Sequence, residues 1–160
     1  MEKQFLIRPA TTADVGELMR LVRALADYEK LSHMVTGTEA MMREALFGVR
    51  PVAEAVLVES GGRAVGFALY FMSYSTFLCK PGLYLEDLFV EPDHRGLGLG
   101  KALLRHLAAL AVERRCGRFE WHVLDWNEPS IRFYESLGAT LMPDWELVRM
   151  TEPEIRHLAN

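Results

Sequence analysis

Residues 84–101 hold the densest chemistry in the sequence. Tyr84-Leu85-Glu86-Asp87-Leu88-Phe89-Val90 is an acidic, apolar run, and Arg95-Gly96-Leu97-Gly98-Leu99-Gly100-Lys101 follows it after Pro92. The first stretch reads as a strand, the second as a glycine-rich loop opening into a helix. A helix N-terminus leaves about four backbone N–H groups unpaired and carries roughly half a positive charge. Glycines ahead of it let the backbone close around an anion without Cβ clashes, and Arg95 and Lys101 add charge. The stretch therefore reads as a phosphate or pyrophosphate cradle; a glycine-rich connection without a ligand is the plainer alternative. It is not a P-loop, because Arg95 stands where the first glycine is needed and Ala102 replaces the magnesium-binding hydroxyl residue. The Rossmann fingerprint fails as well: counted from Gly98, its third glycine falls on Leu103.

The string that remains is Arg-x-x-Gly-x-Gly after an acidic strand, and it resembles the acetyl-CoA signature of the GNAT N-acetyltransferase superfamily. The resemblance extends to Asn127-Glu128-Pro129-Ser130-Ile131-Arg132-Phe133-Tyr134 with Leu137-Gly138-Ala139, and to Arg8-Pro9-Ala10-Thr11 at the opening. Tyr28-Glu29-Lys30-Leu31, Tyr84-Leu85-Glu86-Asp87 and Asp125-Trp126-Asn127-Glu128 resemble, more narrowly, the diamine (spermidine/spermine) and thialysine N-acetyltransferase subgroup. This resemblance implies acetyl-CoA as cosubstrate, held by Arg95 through Lys101, by the backbone of Leu88, Phe89 and Val90, and by Asn127, Ser130 and Tyr134. It also implies a homodimer.

The chemistry expected of such an enzyme can be set against these residues. An alkyl amine with a pKa near ~10.4 is protonated at pH 7, and freeing its lone pair costs roughly 4–5 kcal/mol. A base is needed, directly or through water. The resemblance gives that role, with amine binding, to Glu86; an ordinary strand-end carboxylate is the other reading. Strict alternation places Glu86 on one face with Leu88 and Val90 and turns Asp87 to the opposite face as a structural residue. Tyr134, whose phenol is a proton donor at neutral pH, is implied as the acid that meets the CoA sulfur; on a short helix, three residues after Ile131, it could equally be packing. Tyr28, Glu29, Glu120 and His122 are candidate acceptor-binding residues, since a cationic amine calls for acidic and aromatic partners. Ser75 occupies a hairpin position where the polyamine enzymes are acidic, which points toward an amino-acid-like amine.

These residues need a scaffold. The sequence predicts a strand over Phe5–Arg8, a helix from Thr12 or Asp14 to about Lys30, and a helix over Glu39–Phe47. A hairpin turning at Gly61-Gly62 joins Ala53–Glu59 to Val65–Tyr74, and Leu83–Val90 is a further strand. Next come a helix over Lys101–Arg115, a strand over Phe119–Leu124 and a helix over Pro129–Leu137. Ala139–Met142 and Glu146–Met150 read as closing strands, and a last helix starts at Glu154. The expected fold is a mixed α/β (α+β) GNAT-type fold: a mostly antiparallel sheet of about seven strands flanked by helices, as a single N-acetyltransferase domain over residues 1–160.

Composition bounds the rest. The 160 residues are 50% hydrophobic and 25% charged, with a net charge of −4. That balance argues against a nucleic-acid partner, and no apolar run approaches the ~18–20 residues of a membrane helix. Two cysteines and an N-terminus without a signal-like segment point to the cytoplasm. His33, His94, His106, His122 and His157 form no metal-binding spacing with each other or with Cys79 and Cys116, so no metal is expected. The leading reading is direct acetyl transfer to a small-molecule amine (polyamine, diamine or thialysine/lysine-like amino acid) in a ternary complex. The alternatives are a protein or peptide N-acetyltransferase and a non-catalytic acyl-CoA-binding sensor.

Overall fold

The computed structural model describes residues 5–160, which divide into two compact units, one ending at His122 and one spanning Val123–Asn160. The first unit is built on a five-stranded sheet in chain order. It comprises β1 (Phe5–Pro9), β2 (Glu54–Ser60), β3 (Arg63–Ser75), β4 (Lys80–Val90) and β5 (Arg118–Trp121). The first four are antiparallel and β5 joins β4 in parallel. Gly61 and Gly62 both take positive φ, 61° and 78°, giving the primed turn that matches strand twist.

Two helical layers cover this sheet. α1 (Val15–Tyr28) and α2 (Glu39–Phe47) bury Leu18, Leu21, Leu25 and Leu46 against Ala55, Leu57, Phe67 and Phe89. The opposite face carries the buried Val56, Val58, Leu83 and Leu85. It is covered by α3 (Leu99–Glu113), whose Leu99, Leu103, Leu104 and Leu107 are buried and which packs chiefly on β4. The start of α1 is set by Thr11 and Asp14, whose side chains cap the turn reciprocally. Asp14 also accepts 2.8 Å hydrogen bonds from Arg8, and Arg8 reaches Glu59 at 2.6 Å, joining β1, α1 and β2.

The second unit holds α4 (Glu128–Ser136) and α5 (Glu152–Leu158). It departs from expectation. Neither Ala139–Met142 nor Glu146–Met150 is a strand, so the described sheet has five strands where about seven were expected. A strand is stable only when its N–H and C=O groups find a ladder partner and one face is covered. In this segment Trp145 and Val148 stand 75% and 87% exposed, and no described strand pairs with it.

Candidate active site

β4 and its two neighbours create the site. Its ladder with β3 runs in register from Lys80 to Leu85 and again from Asp87 to Val90, with a β-bulge between, so Glu86 is an extra, unpaired residue. The bulge shifts the phase of alternation between residues 80–85 and 87–90. Asp87 pairs with Leu69 and lies on the face of Tyr84 and Phe89, toward α1 and α2, while Leu88 shares the α3 face with Leu83 and Leu85. Asp87 thus stands opposite Leu88 and Val90, as strict alternation predicts, but the bulge also puts it on the same face as Tyr84. The sequence did contain a signal: the apolar positions change phase from 83 and 85 to 88 and 90, which an extra residue in between explains.

On its other side β4 pairs with β5 only from Gly82 to Leu85, opposite Arg118 to Trp121. The two strands then part. Glu86 through Val90, including the expected Leu88, Phe89 and Val90, have no β5 partner, which leaves an open strand edge beside the bulge.

The electrostatics along this edge are divided. Asp87 lies mostly out of solvent near Glu86 and Glu29, and burial together with these two like charges pushes its carboxyl up to about 7. Burial also raises Glu29, which follows α1 directly. Glu86 is exposed. A carboxyl that resists ionisation because it is buried beside like charges is stabilised in its ionised form by an incoming cation.

The loop after β4 has the opposite character. Gly96 and Gly98 adopt φ of 76° and 79°, and a Cβ at either would meet nothing within 4 Å, so open space lies over both. The first intrahelical bond of α3 is from Ala102 N–H to Gly98 C=O at 2.9 Å. The amides of Leu99, Gly100 and Lys101 precede it, and the Lys101 side chain is exposed. These features fit a pyrophosphate-bearing group (open space, forward amides, one lysine). Arg95 does not present its side chain as expected. Its Nε donates to Val90 C=O at 2.9 Å, and its guanidinium carbon sits 4.5 Å from the Tyr28 ring centroid and 5.5 Å from that of Phe89.

The remaining candidates have contacts within their own units. His122 Nδ1 hydrogen-bonds the Tyr84 hydroxyl just past the end of β5, and Tyr84 stacks on Phe71 at 4.9 Å. Glu120 is ion-paired with Arg118 at 3.0 Å. Ser75 is buried and accepts from Leu78 N–H at 3.3 Å, which makes it a turn residue. In the second unit, buried Asn127 caps α4, its Oδ1 accepting from Ser130 N–H at 3.4 Å. Tyr134 is half-buried on α4, its ring 5.5 Å from Phe133.

Comparison with known proteins gives the family and the fold. The sequence model of the acetyltransferase (GNAT) family matches residues 20–139. A thialysine N-epsilon-acetyltransferase of Sus scrofa is 36% identical, covering 96% of each chain. An L-ornithine N5-acetyltransferase of Arabidopsis thaliana is 31% identical over 91% of this chain and 83% of its own. An integron cassette protein structure from V. cholerae shares the fold with a TM-score of 0.81 at 24% identity, covering 99% of this chain and 98% of that one. The chain belongs to the GNAT family, whose cosubstrate is acetyl-CoA. It is an N-acetyltransferase.

Proposed function

We propose that this enzyme acetylates the distal primary amine of a small, amino-acid-like diamine by direct transfer in a ternary complex. The observation that carries the reading is the carboxyl cluster of Asp87, Glu86 and Glu29 beside the open edge of β4, with the glycine loop and the start of α3 following the C-terminal end of that strand. Thialysine and ornithine, named for two relatives, both combine a distal amine with an amino-acid head.

Bound acetyl-CoA supplies the thioester carbonyl that a neutral amine attacks. The backbone from Arg95 to Lys101 holds its phosphates, with Lys101 adding charge. The edge of Leu88, Phe89 and Val90 aligns its pantetheine arm as an added strand would, and Asn127 and Ser130 meet the same arm. Glu86 and Asp87 hold the acceptor ammonium and take up its proton, Asp87 being suited because its carboxyl titrates near neutrality. Tyr28 and Glu29 close over the acceptor, with Glu120 and His122 farther along the wall. Tyr134 donates its phenolic proton to the departing thiolate. In the same reading the chain acts as one domain over residues 1–160 and as a cytoplasmic homodimer. The exposed Phe77 and Trp145 are candidates for the subunit contact.

The test is release of free CoA thiol by purified protein with acetyl-CoA and a panel of thialysine, ornithine, lysine, diamines, spermidine and peptides. The expected order places thialysine and ornithine above spermidine. Turnover confined to peptides, or none with any amine, would overturn the proposal.

A further inference from the structure

We propose that the Arg95 side chain positions the acceptor end of the site, pinning the last turn of α1 to the end of β4, and is not a ligand of the cosubstrate phosphates. This rests on the acetyl-transfer reading above.

Arg95 opens the cradle, yet each of its described side-chain contacts points back toward the sheet. The Nε–H is held by Val90 C=O at 2.9 Å, which fixes the plane of the guanidinium, and one face of that plane covers the Tyr28 ring at 4.5 Å. A planar, delocalised cation stacks on an aromatic face in a way that an ammonium does not reproduce.

Tyr28 is the last residue of α1. Beyond it Glu29 caps the helix and Lys30 turns to φ 62°, so the chain leaves the α-helix here, and only the short turn of Ser32–Met34 follows. The middle of α1 is already tied to the same loop, since Arg20 donates to Glu91 at 2.6 Å and Arg63 holds that carboxylate from β3. Arg95 adds a second tie at the end of the helix, one residue before Glu29. Glu29 is one of the two carboxylates whose charge Asp87 feels. Fixing Tyr28 thus fixes the direction in which Glu29 leaves the helix, and with it one wall of the acidic cluster. The phosphates are left to the backbone amides and Lys101.

The experiment compares Arg95→Met, Lys101→Met and Tyr28→Leu, each checked for an unchanged thermal midpoint. CoA affinity is measured by calorimetry, and acceptor KM with thialysine as the probe. Lys101→Met should weaken CoA binding about tenfold. Arg95→Met should leave CoA affinity within about threefold while raising the thialysine KM about tenfold. The double variant Arg95→Met/Tyr28→Leu should be no worse for thialysine than the poorer single variant, because both remove one contact. Arg95→Lys, which keeps the charge but not the plane, should resemble Arg95→Met.

A tenfold loss of CoA affinity in Arg95→Met, or additive effects in the double variant, overturns the assignment. If the wild type fails to acetylate thialysine, the functional reading is wrong for that acceptor. Calorimetry then still decides between the phosphate-ligand role and its absence for Arg95.

Discussion

Asp14 and Asp87 are both largely withdrawn from solvent in the same unit, and their chemistry differs in sign. Asp14 takes two hydrogen bonds from the Arg8 guanidinium and others from Thr11, and these hold its carboxyl well below the usual carboxylate range. Asp87 has Glu86 and Glu29 for neighbours, and burial with their repulsion lifts it to about 7. Burial alone does not make a carboxylate functional; what matters is whether the fold supplies its counter-charge. At Asp14 the fold does, and the result is a brace between β1 and α1. At Asp87 the fold withholds it, and a substrate cation can supply what is missing.

The contrast is open to direct attack. The largest effect is expected from Asp87→Asn. Acetyl transfer to thialysine should fall about 100-fold in kcat/KM, in the range ordinary for removing a proton acceptor. The rising limb of the wild-type pH–rate profile near pH 7 should disappear with it. A variant that keeps that limb would return Asp87 to a structural role.

Next come opposite pH dependences of stability, measured by chemical denaturation at several pH values. Asp14 is depressed in the folded state, so its contribution is present above its unfolded value near 3.8 and fades as pH falls further. Asp14→Asn should cost on the order of 2 kcal/mol at pH 7 and little at the acid end, the figure allowing for the partly exposed Arg8. Asp87 is raised, so the folded state binds the extra proton and stability declines between about pH 4 and 7. Asp87→Asn should therefore gain on the order of 1–2 kcal/mol at pH 8 and nothing near pH 3.5. Equal pH dependence in the two variants would erase the distinction between brace and site.

The smallest change is expected at Glu120, whose carboxylate already has Arg118 at 3.0 Å. Glu120→Gln should move thialysine KM by less than about twofold, as for an exposed pair. A tenfold rise would make Glu120 a direct ligand of the acceptor amine, like Glu29, and not a distant part of the wall.

Much of this was legible in the residues themselves. Helix α2 runs over Glu39–Phe47 as its spacing predicts, and the hairpin turns at Gly61-Gly62 where two adjacent glycines permit positive φ. The glycine loop and the helix after it are local features, set by backbone freedom and capping within a few residues. Local rules therefore locate the cradle. The closing segments show the limit of the same reasoning: residues 146–150 have strand-like composition, but composition supplies no neighbour.

Sequence by itself thus determined the helices and the first four strands, the glycine loop, the family and the list of acidic and aromatic candidates, because each depends on residue type at short range. Tertiary structure decided which carboxylate lacks a counter-ion and what the first arginine of the cradle touches. A single extra residue at Glu86 brings Asp87 onto the same face as Tyr84, and the packing of α1 across the sheet brings Tyr28 over Arg95. Both outcomes depend on contacts between residues far apart in the chain, such as Asp87 with Glu29 and Tyr28 with Arg95, and periodicity along one strand or helix carries no information about them.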